Sequence, residues 1–182
     1  MSAQVPFSYV ADACKEAKIS AILIGGQALA SRGYQRLTLD VDFMVTEEDY
    51  EKLKPAISSR GYSEVVRTNV AAKWQGQSPD LIDIDFMFVD RATFEAIKKE
   101  SKEEDYYDGK FLVPKVEHLI ALKLHAMKQQ PQRREPKDLN DVIQLIRTNR
   151  IDVKAKAFES LCKQFGTDDL YRKIVYHTQI DG

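Results

Sequence analysis

The sequence predicts an α+β (α/β) fold, with strands and helices mixed to about residue 113 and a helical part over 114–182. Three observations carry this expectation. Residues 37–45 and 81–89 alternate apolar and polar side chains with the period of a strand. Other stretches, beginning with 6–18, repeat apolar residues at three- and four-residue spacing. After a short strand at 110–113 the pattern is helical. The parts 1–113 and 114–182 read as a core with a helical subdomain packed on it in one unit rather than as independent domains.

A chain of 182 residues with 43% hydrophobic and 30% charged residues can bury a sizeable core. Lysine and arginine (27) nearly balance aspartate and glutamate (28), a net charge of −1 that argues against a broad nucleic-acid-binding surface. A local basic patch of Lys128, Arg133, Arg134 and Lys137 remains open. Cys14 and Cys162 lie far apart without metal-ligand spacing and read as ordinary reduced residues of a cytoplasmic protein. The chain has no apolar run of membrane-spanning length, and Met1-Ser2-Ala3-Gln4 lacks a charged signal-peptide start. The expectation is a soluble protein with no membrane partner.

In chain order, 6–18 is predicted as a helix with Phe7, Val10, Ala11, Cys14 and Ala17 as its apolar stripe. Residues 19–24 form an apolar run broken by Gly25-Gly26, the pattern of a buried strand entering a turn. Residues 27–31 form a short helix stopped near Gly33. Thr46-Glu47-Glu48-Asp49 resembles a capping box that opens a helix to about Arg60, with Gly61 as its stop. Residues 62–66 and 70–74 pair as a hairpin, with Trp74 a packing residue. Asp90 caps a helix from Arg91 to about Glu100, and the charged run 98–108 reads as a solvated helix end and loop. Pro114 opens a helix over 115–129 with Leu119, Leu122 and Ala126 inward. Residues 130–136 read as a polar, proline-bounded loop before a helix that starts at Lys137 and turns Val142, Leu145 and Ile146 inward. Two last helices span about 152–165 and 168–178, separated by Gly166.

The chemistry concentrates on the two alternating strands. Leu37, Leu39, Val41, Phe43 and Val45 share one side of 37–45, and Thr38, Asp40, Asp42 and Met44 the other. The first set is expected to pack into a core while both carboxylates face open space, their Cα atoms about 6.5 Å apart. Two ionised carboxylates this close repel unless a cation lies between them, so the pair suits a hard, oxygen-seeking ion such as Mg²⁺. The bland alternative is a solvated strand face. On 81–89, Asp83 and Asp85 share a face opposite Ile82, Ile84, Phe86 and Phe88, which points to adjacent strands with a shared carboxylate cluster. Paired glycines between strand and helix bring backbone N–H groups close to a ligand and suit phosphate, though many such pairs are simple turns. Lys123, inside an apolar helix, either offers its ammonium to a phosphate or snorkels to water.

Taken together, the apolar strand, Gly25-Gly26, the short helix, Arg36-x-Thr38-x-Asp40-Val41-Asp42 and a later strand with Asp85 resemble the nucleotidyltransferase fold of the DNA polymerase β-like superfamily. The resemblance covers about residues 20–145 and is greatest to bacterial minimal nucleotidyltransferases and AbiEii-type toxin proteins. The later Lys and Lys-Asp motifs of those families are matched by Lys123 in Leu119-Ile120-Ala121-Leu122-Lys123 and by Lys137-Asp138 with Asp141. There are departures. Relatives with Gly-Ser place a hydroxyl where this chain has Gly26, so a phosphate contact there must come from the backbone. Asp83 and Asp85 both face the right way for the third carboxylate, and Asp85-Phe86-Met87-Phe88 is the better match.

The resemblance implies a mixed central β-sheet flanked by helices, and transfer of an NMP group from an NTP to an acceptor hydroxyl. It implies that Asp40, Asp42 and Asp85 are catalytic and hold Mg²⁺ or Mn²⁺. It makes Gly25, Gly26, Arg36, Thr38, Lys123 and Lys137 the nucleotide-binding residues. The acceptor is left open among RNA, protein and a small molecule, and a cognate toxin or antitoxin protein is the implied partner. The competing reading is a non-catalytic nucleotide- or protein-binding module of the same fold. Retention of all three carboxylates favours the enzyme.

Overall fold

The computed structural model describes residues 7–106 and 109–179. The chain divides into two units, one of Met1–Ala28 with Arg36–Lys115 and one of Leu29–Gln35 with Val116–Gly182.

The first unit is laid out as α1 (Phe7–Ala17), β1 (Ile22–Ile24), α2 (Gly25–Ser31, which continues into the second unit), β2 (Asp40–Val45), α3 (Glu47–Ser58), β3 (Tyr62–Arg67), β4 (Ala71–Gly76), β5 (Asp83–Phe88), α4 (Arg91–Lys99), β6 (Lys102–Tyr106) and β7 (Gly109–Val113). Its strands make one seven-stranded sheet in the order β3-β4-β5-β2-β1-β7-β6. β2 runs parallel to β5 and β1 to β7, while the other pairings are antiparallel. The sheet is mixed, as the resemblance implied.

Aromatic residues fill the space between α1, α3 and the sheet. The Phe7 ring meets Phe43 edge-on at 6.5 Å, Phe43 stacks on Phe86 at 6.0 Å, and Tyr50 packs on Phe86 and Phe88. Trp74 is buried and its Nε1–H donates to Tyr50 Oη at 2.9 Å, so its polar edge is satisfied as well as its bulk packed. Thr46 Oγ1 accepts from the Asp49 N–H at 3.2 Å, and an Asp90 carboxylate oxygen from the Thr93 N–H at 2.9 Å, capping α3 and α4 where the sequence places them. α1 buries Ala13 rather than Ala11 and Ala17.

β1 is shorter than the apolar run 19–24, β5 is shorter than 81–89, and α2 already begins at Gly25 rather than after a turn at Gly25-Gly26. Two larger expectations also fail in this unit. β2 begins at Asp40, not at Leu37, and Leu37 and Leu39 are 85% and 80% exposed. Alternation buries one face only where the strand is paired into a sheet that carries a packed layer, and residues 37–39 are outside the pairing. Met44, on the carboxylate side by alternation, is buried. Secondly, the charged run does not stay loop: β6 pairs antiparallel with β7 from Lys102↔Val113 to Tyr106↔Gly109. It is an edge strand whose charged side chains reach water, a common way of protecting a sheet edge. Pro6 of the first helix and residues 107–108 of the charged run lie outside the described residues.

The second unit holds α5 (Val116–Gln129), α6 (Pro131–Asn149), α7 (Lys156–Phe165) and α8 (Asp168–Gln179). α5 packs on α6 and α7, and α8 on α6 and α7. The buried face of α5 is Leu119, Ile120, Leu124 and Met127, whereas Leu122 and Ala126 are only half-buried. Residues 131–136 are helix, not loop. Pro131 sits in the first turn, where an N–H is not needed, and Pro136 removes only the bond to the Gln132 carbonyl one turn back. The segment 29–35 is tied to α6, with Asn149 Nδ2 donating to the Arg32 carbonyl at 3.0 Å and Asn140 Nδ2 to Tyr34 Oη at 3.1 Å. α7 starts at Lys156, later than the pattern from 152 predicts.

Both cysteines are buried, which pushes each thiol up to about 12 and leaves them inert packing residues. Among the described residues no helix is long and apolar enough to cross a membrane.

Candidate functional site

The parallel pairing of β2 with β5 sets Asp40 opposite Asp83 and Asp42 opposite Asp85, so all four carboxylates rise from one face of two adjacent strands. One carboxylate oxygen from each of Asp40, Asp42 and Asp85 lies within 4.8 Å of the other two, and all three residues are half-buried. Asp85 is thus the third member of the cluster. Asp83 turns to Lys73, whose Nζ lies 3.3 Å from Asp83 Oδ2 and 3.9 Å from Asp85 Oδ1.

The backbone beside this cluster is shaped by two glycines. Gly25, the first residue of α2, has φ +63°, and a Cβ there would lie 1.8 Å from Asp42 Oδ2. Only glycine combines that backbone angle with room for the Asp42 carboxylate. Gly26 leaves space for Thr38, whose Cβ and Oγ1 would each lie 2.9 Å from an added Cβ. Thr38 Oγ1 donates to Asp40 Oδ1 at 2.7 Å and fixes that carboxylate. A serine at position 26 would collide with Thr38, so the hydroxyl beside the cluster comes from residue 38 instead. Tyr106 Oη donates to the Gln27 carbonyl at 2.8 Å and braces the next residue of α2. Arg36 Nη1 donates to the Leu37 carbonyl at 3.2 Å.

This donor set suits a hard divalent cation. Carboxylate oxygens are the preferred ligands of Mg²⁺ and Mn²⁺, and three of them converge where a glycine keeps the approach open. Lys73, on β4, lies directly opposite Asp85 of β5 in the antiparallel register. Partial burial works against its ammonium, but the charge of Asp85, the hydrogen bond to Asp83 and the charges of Asp83 and Asp40 outweigh it and hold its pKa above the usual lysine value.

Lys123 and Asp138 belong to the second unit. There Lys123 Nζ donates to Asp138 Oδ1 at 2.9 Å and to Asp141 Oδ2 at 2.6 Å, and the two aspartates are 3% and 1% exposed. The Lys-Asp motif therefore forms a buried ion triad between α5 and α6. Lys137 is exposed on α6.

Sequence reasoning missed Lys73 and the division of labour between Asp83 and Asp85. The signal was present in β4, where Ala72 and Trp74 face the core and Lys73 must face the other way. Using it requires the register of β4 against β5, which local pattern does not supply.

Comparison with known proteins places the chain among similar proteins. The model of the family described as nucleotidyl transferase AbiEii toxin, type IV toxin–antitoxin system, matches residues 10–180. No curated protein matches the sequence at a significant level. The fold is similar to that of the antibiotic-resistance factor ANT(2'')-Ia, with a TM-score of 0.60 at 15% identity over 93% of each chain. It is also similar to the lincosamide antibiotic adenylyltransferase LnuA, with a TM-score of 0.53 at 14% identity over 76% of this chain and 92% of that one. An antigenic nucleotidyltransferase-like protein from Paracoccidioides brasiliensis gives a TM-score of 0.54 at 15% identity over 87% and 84%.

Proposed function

We propose, from the premise that the chain belongs to the nucleotidyl transferase AbiEii toxin family and is a nucleotidyltransferase, that it moves an NMP group from an NTP to an acceptor hydroxyl with Mg²⁺ or Mn²⁺ held by Asp40, Asp42 and Asp85. The observation that supports this reading is the convergence of those three carboxylates beside Gly25. A divalent ion bound there supplies charge to balance the triphosphate and lowers the barrier to attack on the α-phosphorus.

The chain's own groups do the rest. Backbone N–H groups at Gly25 and Gly26 cradle phosphate oxygens at the start of α2. Thr38 keeps the Asp40 carboxylate turned towards the cluster through its 2.7 Å hydrogen bond. Asp85 takes the proton from the acceptor hydroxyl as its oxygen bonds to the α-phosphorus and pyrophosphate departs. The assignment of Arg36 and Lys137 to the triphosphate rests on the sequence motif alone, whereas the Lys123 ammonium is engaged by Asp138 and Asp141.

The acceptor is an RNA end, a protein hydroxyl or a small molecule; the net charge of −1 weighs against a large RNA footprint. The solved structures with this fold include ANT(2'')-Ia in complex with adenylyl-2''-tobramycin and LnuA bound to lincomycin. Family membership supports a cognate antitoxin as partner, and the cytoplasmic site of action rests on the reading of Cys14 and Cys162 as reduced residues.

The test is to offer each α-labelled NTP with Mg²⁺ or Mn²⁺ to cellular RNA, protein and small-molecule fractions. Label moving to one fraction identifies nucleotide and acceptor class together. Nucleotide binding without label transfer under any condition would favour the non-catalytic binding module, and absence of both would overturn either reading.

A further inference from the structure

Asp42, Asp85 and Lys73 form one row across three adjacent strands, because Asp42 pairs with Asp85 and Asp85 with Lys73 in the sheet register. The row places an ammonium against the side of the cluster away from Gly25. Its Nζ is anchored on Asp83 Oδ2 at 3.3 Å and stands 3.9 Å from Asp85 Oδ1. Four carboxylates on one sheet face repel one another, and the repulsion must be balanced before any metal arrives. Lys73 is placed to do so, since it shares the sheet face of the carboxylates and stands directly opposite Asp85 in the register.

We propose that Lys73 is a placeholder cation for the carboxylate cluster: anchored by Asp83, it holds Asp85 in place in the metal-free protein and yields that carboxylate when a divalent ion binds. The inference rests on reading Asp40, Asp42 and Asp85 as a metal seat. It makes Lys73 and Asp83 positioning residues. The ammonium and a divalent ion compete for the same oxygen and repel each other. Removing the ammonium therefore destabilises the metal-free protein and strengthens metal binding. A lysine that merely packs on the sheet would lower stability with and without metal alike and leave metal affinity unchanged.

The experiment titrates Mn²⁺ into the full chain by electron paramagnetic resonance and follows thermal unfolding with and without Mn²⁺, for wild type, Lys73→Met and Lys73→Arg. Lys73→Met is expected to bind Mn²⁺ about tenfold more tightly than wild type, from loss of a like charge within a few ångströms. Its melting temperature is expected to fall below wild type without metal and to return to it when saturated with Mn²⁺. Lys73→Arg keeps the charge and is expected to follow wild type in both measurements. If Lys73→Met folds only when Mn²⁺ is present, the proposal stands in its strongest form; if Mn²⁺ does not rescue it, the proposal fails. Equal Mn²⁺ affinity in wild type and Lys73→Met would overturn the placeholder role while leaving the metal seat intact. Absence of Mn²⁺ binding in both would overturn the seat and the inference together.

Discussion

Gly25→Ala is the smallest change that reaches the carboxylate cluster without touching a charge. Gly25 has φ +63°, and the added Cβ would lie 1.8 Å from Asp42 Oδ2, where real contacts keep at least 3.0 Å. The carboxylate must therefore retreat by about 1.2 Å, or α2 must shift by as much. Misplacement of about 1 Å at a reacting site costs on the order of 100-fold in rate. The left-handed backbone adds about 1–2 kcal/mol of strain, which lowers the melting temperature by about 2–8 °C in a chain of this size. Gly61→Ala separates the two effects. Its φ is +85°, yet the added Cβ would meet only Leu81 Cδ1 at 3.5 Å, an ordinary contact. Both variants are to be compared by NMP transfer from labelled NTP and by thermal unfolding. The expected result is a loss of stability in both, larger in Gly25→Ala by the cost of the clash, with loss of transfer in Gly25→Ala alone. Wild-type transfer by Gly25→Ala would refute the placement of Asp42 at the reacting centre.

Two further outcomes follow from the ion pairs. Lys123→Met leaves Asp138 and Asp141 buried without their shared ammonium, and urea unfolding should show a loss of about 3–5 kcal/mol; a loss under 1 kcal/mol would contradict a buried triad. Asp49 is nearly buried on α3; burial alone would raise its pKa, but hydrogen bonds from Arg91, Lys52 and Thr46 and the charge of Arg91 hold it below the usual value. A depressed native pKa contributes stability that is present above about pH 4 and lost as pH falls through the native value. The stability gap between wild type and Asp49→Asn should therefore narrow as the pH is lowered from 7 to below 4, and a constant gap would contradict the assignment.

Much of the site was legible in the sequence because short-range pattern determines it. Asp40 and Asp42 share a face by strand period alone, and Gly25-Gly26 follows directly from an apolar run. What failed depended on neighbours. Leu37 and Leu39 continue the alternation of β2 but lie outside the sheet pairing, so they stay in water. The charged residues of β6 have little strand propensity, yet β7 supplies a partner and the edge supplies solvent. The stretch around Pro131 and Pro136 reads as loop on composition, although Pro131 sits where a helix start tolerates it and Pro136, inside the helix, forfeits a single backbone bond. Lys73 could be placed on the outer face of β4, but only the register with β5 brings it to Asp85.

The central claim is that Asp40, Asp42 and Asp85 hold the divalent ion on which nucleotidyl transfer depends. Its most direct test is Mg²⁺-supported transfer from α-labelled NTP by wild type and by the Asp40→Asn, Asp42→Asn double variant, with circular dichroism confirming that both are folded. The account predicts transfer with pyrophosphate release by wild type and a loss of at least about a thousandfold in the variant, about 4 kcal/mol of barrier. Undiminished transfer by a folded double variant would contradict it.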